Sequence, residues 1–254
     1  MLLAIDVGNT NIVYGLFDGE RLVHKFRVES ARGRTADEYA VTLRSLLVMH
    51  GVDPKSVDAA IVACVVPSLT DAMMRLVRSA FGREALVVGP GIRSGMAILI
   101  ENPREVGADR IADAVAGFDK AKGGVIVVDF GTSTNFDVVS SRGEFLGGSL
   151  APGIEISVEA LAARAAQLRR VELVRPRSVI GKNTVECLQS GVLYGFAGQV
   201  DGLVRRIIGE IGPVTAVVAT GGLAPIVVAE SETITHHDPD LTLVGLRLVY
   251  ERNV

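Results

Sequence analysis

The feature that most constrains this chain is an internal echo. LLAIDVGNTN at 2–11 and GVIVVDFGTST at 124–134 each read as a buried apolar strand that ends in Asp, reaches Gly two residues later and turns through hydroxyl or amide side chains. The likeness runs on past the turn. IVYGLFD (12–18) and NFDVVSS (135–141) are strand-like, each meets a turn at Gly19-Glu20 or Arg142-Gly143, and each leads to a third strand-like run, RLVHKFRV (21–28) or EFLGGSLA (144–151). A helical segment follows in both places: 36–49, with apolar residues at 40, 43, 46 and 47, and 155–168, with apolar residues at 158, 161, 162 and 165. Two duplicated α/β halves are the simplest account.

The rest of the chain fits that plan. The first half continues with a strand over 57–65, a helix over 68–81 and a short strand over 85–89. A loop enters a helix within 104–120, a long helix covers about 183–211, and VTAVVATGGLAPIV (214–227) reads as strand, Gly turn and helix. We expect a boundary near residue 118, giving halves 1–118 and 119–254 with a cleft between them. Of the 254 residues 48% are hydrophobic and 22% charged, which places the chain among ordered globular proteins. A net charge of −3 supplies no general field for nucleic acid or anionic lipid. The longest apolar run, 59–66, is far short of the roughly 20 residues of a membrane-spanning helix. The opening MLLAIDVGNT has no basic stretch before its apolar residues and meets Asp6 early, so a signal peptide is not expected and a cytoplasmic location is. Cys64 and Cys187, far apart and each in an apolar or helical setting, are expected as buried reduced thiols.

Three turns carry the chemistry. In Asp6-Val7-Gly8-Asn9-Thr10-Asn11 a strand ends in a carboxylate and turns through Gly, offering backbone N–H groups and short polar side chains to an anion the size of phosphate. The carboxylate would repel that phosphate unless a Mg²⁺ lay between them. A plain hairpin with an Asx hydrogen bond is the alternative. Asp129-Phe130-Gly131-Thr132-Ser133-Thr134 repeats the pattern in the second half, and the recurrence favours a paired anion site. The third turn, Thr220-Gly221-Gly222, follows an apolar strand; its glycines let a flat group approach the backbone, and a helix N-terminus follows, although an ordinary strand-to-helix turn would look the same. In Gly107-Ala108-Asp109-Arg110 a carboxylate stands beside a guanidinium at a helix start, which suits a general base next to an anion clamp or, equally, a helix cap. Asp113 is expected to be solvated or structural.

In this order the two Asp-Gly hairpins and the late Thr-Gly-Gly turn resemble the phosphate-1, phosphate-2 and adenosine motifs of the acetate/sugar kinase, Hsp70 and actin superfamily. That resemblance implies two ribonuclease H-like halves, each a mixed five-stranded sheet flanked by helices, with a nucleotide in the cleft. DVGNT, NPREVGADR, DFGTSTNFD, GGSLAPGI (147–154) and VIGKNTVECLQSGVLYG (179–195) further resemble the type III pantothenate kinases over nearly the whole chain. The resemblance implies transfer of the γ-phosphoryl group of ATP to the primary hydroxyl of pantothenate, the first step of coenzyme A synthesis. It implies that Asp6, Val7, Gly8, Asn9, Thr10, Asn11, Ile12 and Val13 hold ATP, with Asp6 also serving Mg²⁺. Gly107, Ala108, Asp109 and Arg110 would contact pantothenate, with Asp109 as proton acceptor. Asp129 would bind a monovalent cation, K⁺ or NH₄⁺; Thr132, Gly221 and Gly222 would contact ATP; and Thr184 would contact substrate across a homodimer interface. Ile100 stands where the family commonly has a substrate-touching Tyr, and Ala165 and Arg169 stand where Thr and Pro are usual.

Other segments point elsewhere or nowhere. His24, His50, His236 and His237 have no metal-ligand spacing, and the last two read as a surface loop. Residues 176–184 are not a P-loop, and Lys182 reads as peripheral. Arg32, Arg34, Arg169, Arg170, Arg175 and Arg177 form local basic clusters, either solvated surface or an anion-facing rim. Two other readings keep the same nucleotide cleft: a non-catalytic accessory factor for transcription, and a small-molecule kinase with another acceptor. The presence of Asp6, Asp109 and Asp129 together favours the enzyme.

Overall fold

The computed structural model describes residues 1–164 and 171–254. Residues 165–170, with the end of the helix expected over 155–168 and with Ala165, Arg169 and Arg170, lie outside the described residues. In chain order the elements are β1 (Leu2–Val7), β2 (Asn11–Asp18), β3 (Arg21–Glu29), α1 (Ala36–Met49), β4 (Ala59–Cys64), α2 (Pro67–Phe81), β5 (Ala85–Val87), β6 (Ala97–Ile98) and α3 (Ala108–Ala121). They continue with β7 (Val125–Phe130), β8 (Ser133–Val139), β9 (Glu144–Pro152), α4 (Ile154–Arg164), α5 (Thr184–Ile211), β10 (Ala216–Thr220), α6 (Ala224–Val228), β11 (His236–His237) and α7 (Leu241–Glu251). Two units form. The first holds Met1–Met96, Glu101–Ala116 and Leu241–Val254, and the second holds Ala97–Ile100 and Gly117–Asp240. The C-terminal segment therefore joins the first unit, whereas a single cut at residue 118 would leave it in the second.

The first unit is a five-stranded sheet in the order β3-β2-β1-β4-β5. β1 runs antiparallel to β2 and parallel to β4, so both its edges are paired. Both its faces are covered too. Leu3 and Ile5 pack with α1 and α2, through Leu43, Leu47, Met73 and Leu76, while Ala4 packs with Ala108, Ala112, Leu243 and Leu246 of α3 and α7. A central strand with two dry faces reads as an unbroken apolar run, which is why LLAIDV looks as it does. α1 opens with a capping box in which Thr35 accepts from the Glu38 N–H and the Glu38 carboxylate accepts from the Thr35 N–H.

α7 lies beyond the last element expected from the sequence. It seats Leu243 in the space beside Gly15, and its Gly245 lies so close to α3 that a Cβ there would run into the Ala112 backbone. Only a residue without a side chain permits that approach.

The second unit repeats the pattern. Its sheet has the order β11-β10-β7-β8-β9-β6, and β9-β8-β7-β10-β11 matches β3-β2-β1-β4-β5 in order and in the direction of every pairing. The expectation of five strands here is corrected to six. The extra strand, β6, pairs Ala97 and Ile98 with Glu144 and Phe145; two residues carry no periodicity of their own, and the partner strand alone makes them a strand. His236 and His237, expected in a surface loop, are exposed but pair with Val218 and Ala219 as edge strand β11. Cys64 and Cys187 are both free thiols, Cys64 half-buried and Cys187 exposed rather than buried, since the first turns of α5 face outward. Asp113 is buried at 2% exposure, so its expected solvation is excluded and the structural alternative stands. Among the described residues no helix is long and apolar enough to cross a membrane.

Candidate active site

In the first unit the anion turn sits at the carboxyl end of β1. Asp6 pairs with Val13 on β2 and with Ala63 on β4, and the Gly8 N–H donates to the Asn11 carbonyl at 3.0 Å, closing a tight hairpin whose Asn9 and Thr10 are exposed. Directly paired residues share a face of a sheet. Val13 and Ala63 pack in the layer that includes Ala108 and Ala112, so the Asp6 side chain stands on the α3 face.

Asp109 belongs to the first turn of that helix. β4 continues past β1 at the same edge, where the Val65 N–H donates to the Val7 carbonyl at 3.0 Å, and Gly107 lies against the Val65 side chain on one side and the Asp109 carboxylate on the other. Asp6 and Asp109 therefore share one face and one edge of the first sheet. The Asp109 carboxylate accepts the Arg110 N–H at 2.8 Å. Burial pushes its pKa above the usual carboxylate range, and the Arg110 N–H and guanidinium offset only part of that. A half-buried carboxylate with a raised proton affinity can take a proton from an alcohol as that alcohol attacks. As a helix cap alone it would have gained by being ionised. Among the described residues no three His, Cys, Asp or Glu side chains gather into a cage, so a divalent ion at Asp6 would draw most of its oxygens from water and phosphate, the coordination Mg²⁺ favours.

The second unit builds its turn differently. Asp129 pairs with Asn135 on β8 and with Thr220 on β10, the positions equivalent to Val13 and Ala63. The strand beside it ends in Gly221, held at φ +93°, where a Cβ would lie 2.5 Å from Oδ1 of Asp129 and 2.6 Å from the Phe130 carbonyl oxygen. Two oxygens thus converge on a space that only glycine leaves open, a donor set suited to a hard cation. Thr132 sits in the exposed part of the hairpin, and its carbonyl accepts the Gly153 N–H at 3.1 Å just before α4 begins. Gly153 is a site residue that motif reading passes over; the Pro-Gly pair ahead of a helix is the signal that marks it. α6 is only five residues long, so the glycine geometry of the 220–222 turn counts for more than any helix dipole there.

Beyond this turn a cavity of about 250 Å³ is lined by Val158, Leu173, Leu223 and Ile226, with Glu155 and Glu159 of α4 also on its wall. Thr184 stands apart as the first residue of α5, exposed, after Asn183 caps the helix by accepting the Glu186 N–H at 2.9 Å. Val179, Ile180 and Val185 around it are exposed as well. Lys182 is exposed, and its N–H donates to the Glu186 carboxylate. Arg32, Arg34, Arg175 and Arg177 are at the surface, the last two ion-paired with Glu230 and Glu186.

Comparison with known proteins agrees with this arrangement. The family model described as type III pantothenate kinase matches residues 2–206. Relatives named type III pantothenate kinase include those of Saccharopolyspora erythraea, 57% identical over 100% of this chain and 99% of the relative, and Moorella thermoacetica, 54% identical over the full length of both. Among solved structures, a protein described as a Baf family transcriptional activator from Campylobacter jejuni aligns over 99% of this chain and 98% of its own, at TM-score 0.59 and 17% identity. The ROK hexokinase of Thermus thermophilus aligns over the same shares at TM-score 0.53 and 18% identity. These two likenesses speak for the fold, that of the actin-like ATPases and ROK kinases. With Asp6 and Asp109 on one sheet edge, the repeated turn at Asp129, and more than half of its residues shared with full-length relatives, the chain belongs to the type III pantothenate kinase family.

Proposed function

We propose that this chain phosphorylates pantothenate at its primary hydroxyl with ATP, yielding 4′-phosphopantothenate and ADP at the entry to coenzyme A synthesis. The observation that carries the mechanism is the placement of Asp109, with its raised proton affinity, at the same face and edge as Asp6. Asp109 orients the acceptor hydroxyl and takes its proton as the oxygen bonds to the γ-phosphorus and the bond from phosphorus to the ADP oxygen breaks. Phosphoryl transfer asks for little covalent help, so positioning and charge do most of the work. The N–H groups and side chains of Gly8, Asn9, Thr10 and Asn11 receive phosphate oxygens, and Thr132 does the same from the second turn. Bound Mg²⁺ supplies neutralisation of phosphate charge, and Asp6 is the residue that holds it.

Asp129 with the Phe130 carbonyl fits a monovalent cation, K⁺ or NH₄⁺, in the space Gly221 leaves open. Gly221 and Gly222 receive the nucleoside, and the apolar cavity lined by Val158, Leu173, Leu223 and Ile226 takes its base. Gly107, Ala108, Asp109 and Arg110 hold pantothenate. The exposed apolar residues around Thr184 fit a homodimer interface through which Thr184 reaches substrate, and the reading places the enzyme in the cytoplasm.

The test is ATP-dependent phosphorylation of pantothenate by the purified protein with Mg²⁺, in K⁺ or NH₄⁺ against Na⁺ alone. Turnover that depends on K⁺ or NH₄⁺ is the expected result. Folded protein that binds ATP yet leaves pantothenate unchanged in every cation would end the proposal. Light scattering after size-exclusion chromatography checks the dimer.

A further inference from the structure

Along the chain the arginines that draw notice near the first anion turn are Arg32 and Arg34, which read as surface or rim. Sheet register singles out a different one. Asp6 pairs with Val13, and Val13 pairs with Arg27 on β3, so Asp6, Val13 and Arg27 form one cross-strand row with their side chains on the same face. The bulge between Leu16 and Phe17 lies farther along the ribbon and leaves this row in register. That face carries α3 with Asp109, while α7 covers β1, β4 and part of β2 and leaves Arg27 exposed. Adjacent strands are about 4.8 Å apart, so the Arg27 backbone stands roughly 10 Å from that of Asp6, within the span of a guanidinium reaching toward a phosphate chain at the turn.

Two further observations bear on the role. β3 is tied to the turn itself, because the Ser30 N–H donates to the Thr10 carbonyl at 2.9 Å and Asn11 pairs with Glu29. Arg27 has no ion pair among the described residues, although Glu29 lies two residues on along the same face; Arg75, Arg78, Arg142, Arg175, Arg177, Arg205 and Arg247 all engage carboxylates. By contrast Arg34 lies over the ring of Tyr39, a residue of the opposite core layer. Asp6 and Glu29 make this face locally negative, the wrong sign for a polyphosphate, and Arg27 is the side chain of the row that corrects it.

We propose that Arg27 is a nucleotide-binding residue, its guanidinium pairing with a phosphate oxygen of the bound nucleoside triphosphate; this rests on the kinase reading for the reaction but not for the binding event. Guanidinium and phosphate form charge-assisted, often bidentate hydrogen bonds, which an ammonium reproduces only in part. Equilibrium binding of ATP with Mg²⁺, measured by calorimetry, and steady-state kinetics with each substrate varied give the test for Arg27→Ala, Arg27→Lys and, as a control for lost surface charge, Arg21→Ala at the far end of β3. The expected result is about a tenfold weaker Kd and higher KM for ATP in Arg27→Ala, partial recovery in Arg27→Lys, an unchanged KM for pantothenate, and no effect of Arg21→Ala. Unchanged ATP binding in Arg27→Ala, a change confined to pantothenate, or an equal loss in Arg21→Ala would overturn it. Calorimetry needs no acceptor, so the binding result stands even if pantothenate proves not to be the substrate.

Discussion

The two Asp-Gly hairpins share a topology and differ in what stands beside them. Asp6 and Asp129 occupy equivalent places in equivalent sheets, each between an antiparallel and a parallel neighbour. In the first unit the parallel neighbour β4 runs on through Val65 and Val66 into α2, and Val65 abuts the segment that bears Asp109. In the second unit the parallel neighbour β10 runs into Gly221, which abuts Asp129 itself. Duplication supplied one scaffold, and the residue after the parallel strand decides whether the turn gains a proton acceptor or an oxygen-lined space. The same contrast appears among carboxylates. Burial raises the pKa of Asp109, which has one N–H donor, whereas Asp201 on α5, though burial pushes it upward too, is held below the usual range by Ser231, Glu232 and Thr233 donating to it.

The largest effect should come from Asp109→Asn. We expect turnover to fall by about 10²–10⁴ while ATP binding persists. Because the raised pKa disfavours the ionised form in the fold, the variant should unfold at equal or slightly higher denaturant at pH 7. Loss of both turnover and stability would make Asp109 a cap. The acid limb of kcat against pH should likewise lie above the ordinary carboxylate range, and a limb within it would remove Asp109 as the titrating base.

Next, matched substitutions separate the two turns. Gly221→Ala should lower kcat/KM for ATP by roughly 10²-fold and erase any difference between K⁺ and Na⁺, since its Cβ would meet two oxygens and its φ is left-handed. Gly8→Ala meets only the Asn11 carbonyl, at 3.1 Å, and should cost about tenfold with cation dependence intact. Equal losses would dissolve the distinction drawn above.

Asp201→Asn should destabilise the protein by about 1–3 kcal/mol at pH 7. The folded pKa of Asp201 is depressed, so its contribution is full above the unfolded value near 4 and fades as pH falls through the folded value. Urea midpoints of wild type and variant should therefore converge in acid; a gap constant with pH would show that packing rather than charge is lost. The smallest change, Thr35→Ala at the start of α1, should cost about 1 kcal/mol and leave kinetics untouched.

Much of this was legible in the sequence because the signals were local. Two buried strands each ending in Asp-x-Gly gave the duplication, and strong periodicity placed α1, α2 and α5 within a residue or two of their ends. What escaped was set by tertiary pairing. β6 and β11 are two residues each and exist only through their partners. The position of Arg27 beside Asp6 follows from register across three strands, which no spacing along the chain displays. Gly153 was visible as a helix breaker, but its contact with Thr132 depends on where β9 returns.

The seating of Gly245 against Ala112 carries a consequence for how the protein is made. The helix that bears Asp109 is packed on one side by residues 241–251, which leave the ribosome after every motif of the chain has been synthesised. The sheet translated first is thus the one completed last, and until then Ala4, Phe17 and Ala108 present apolar surface with nothing to cover it. Synthesis interrupted anywhere before residue 241 would release a chain with all its recognisable signatures and an unfinished first unit. The interval between translation of β1 and arrival of α7 is where this protein has most need of a chaperone.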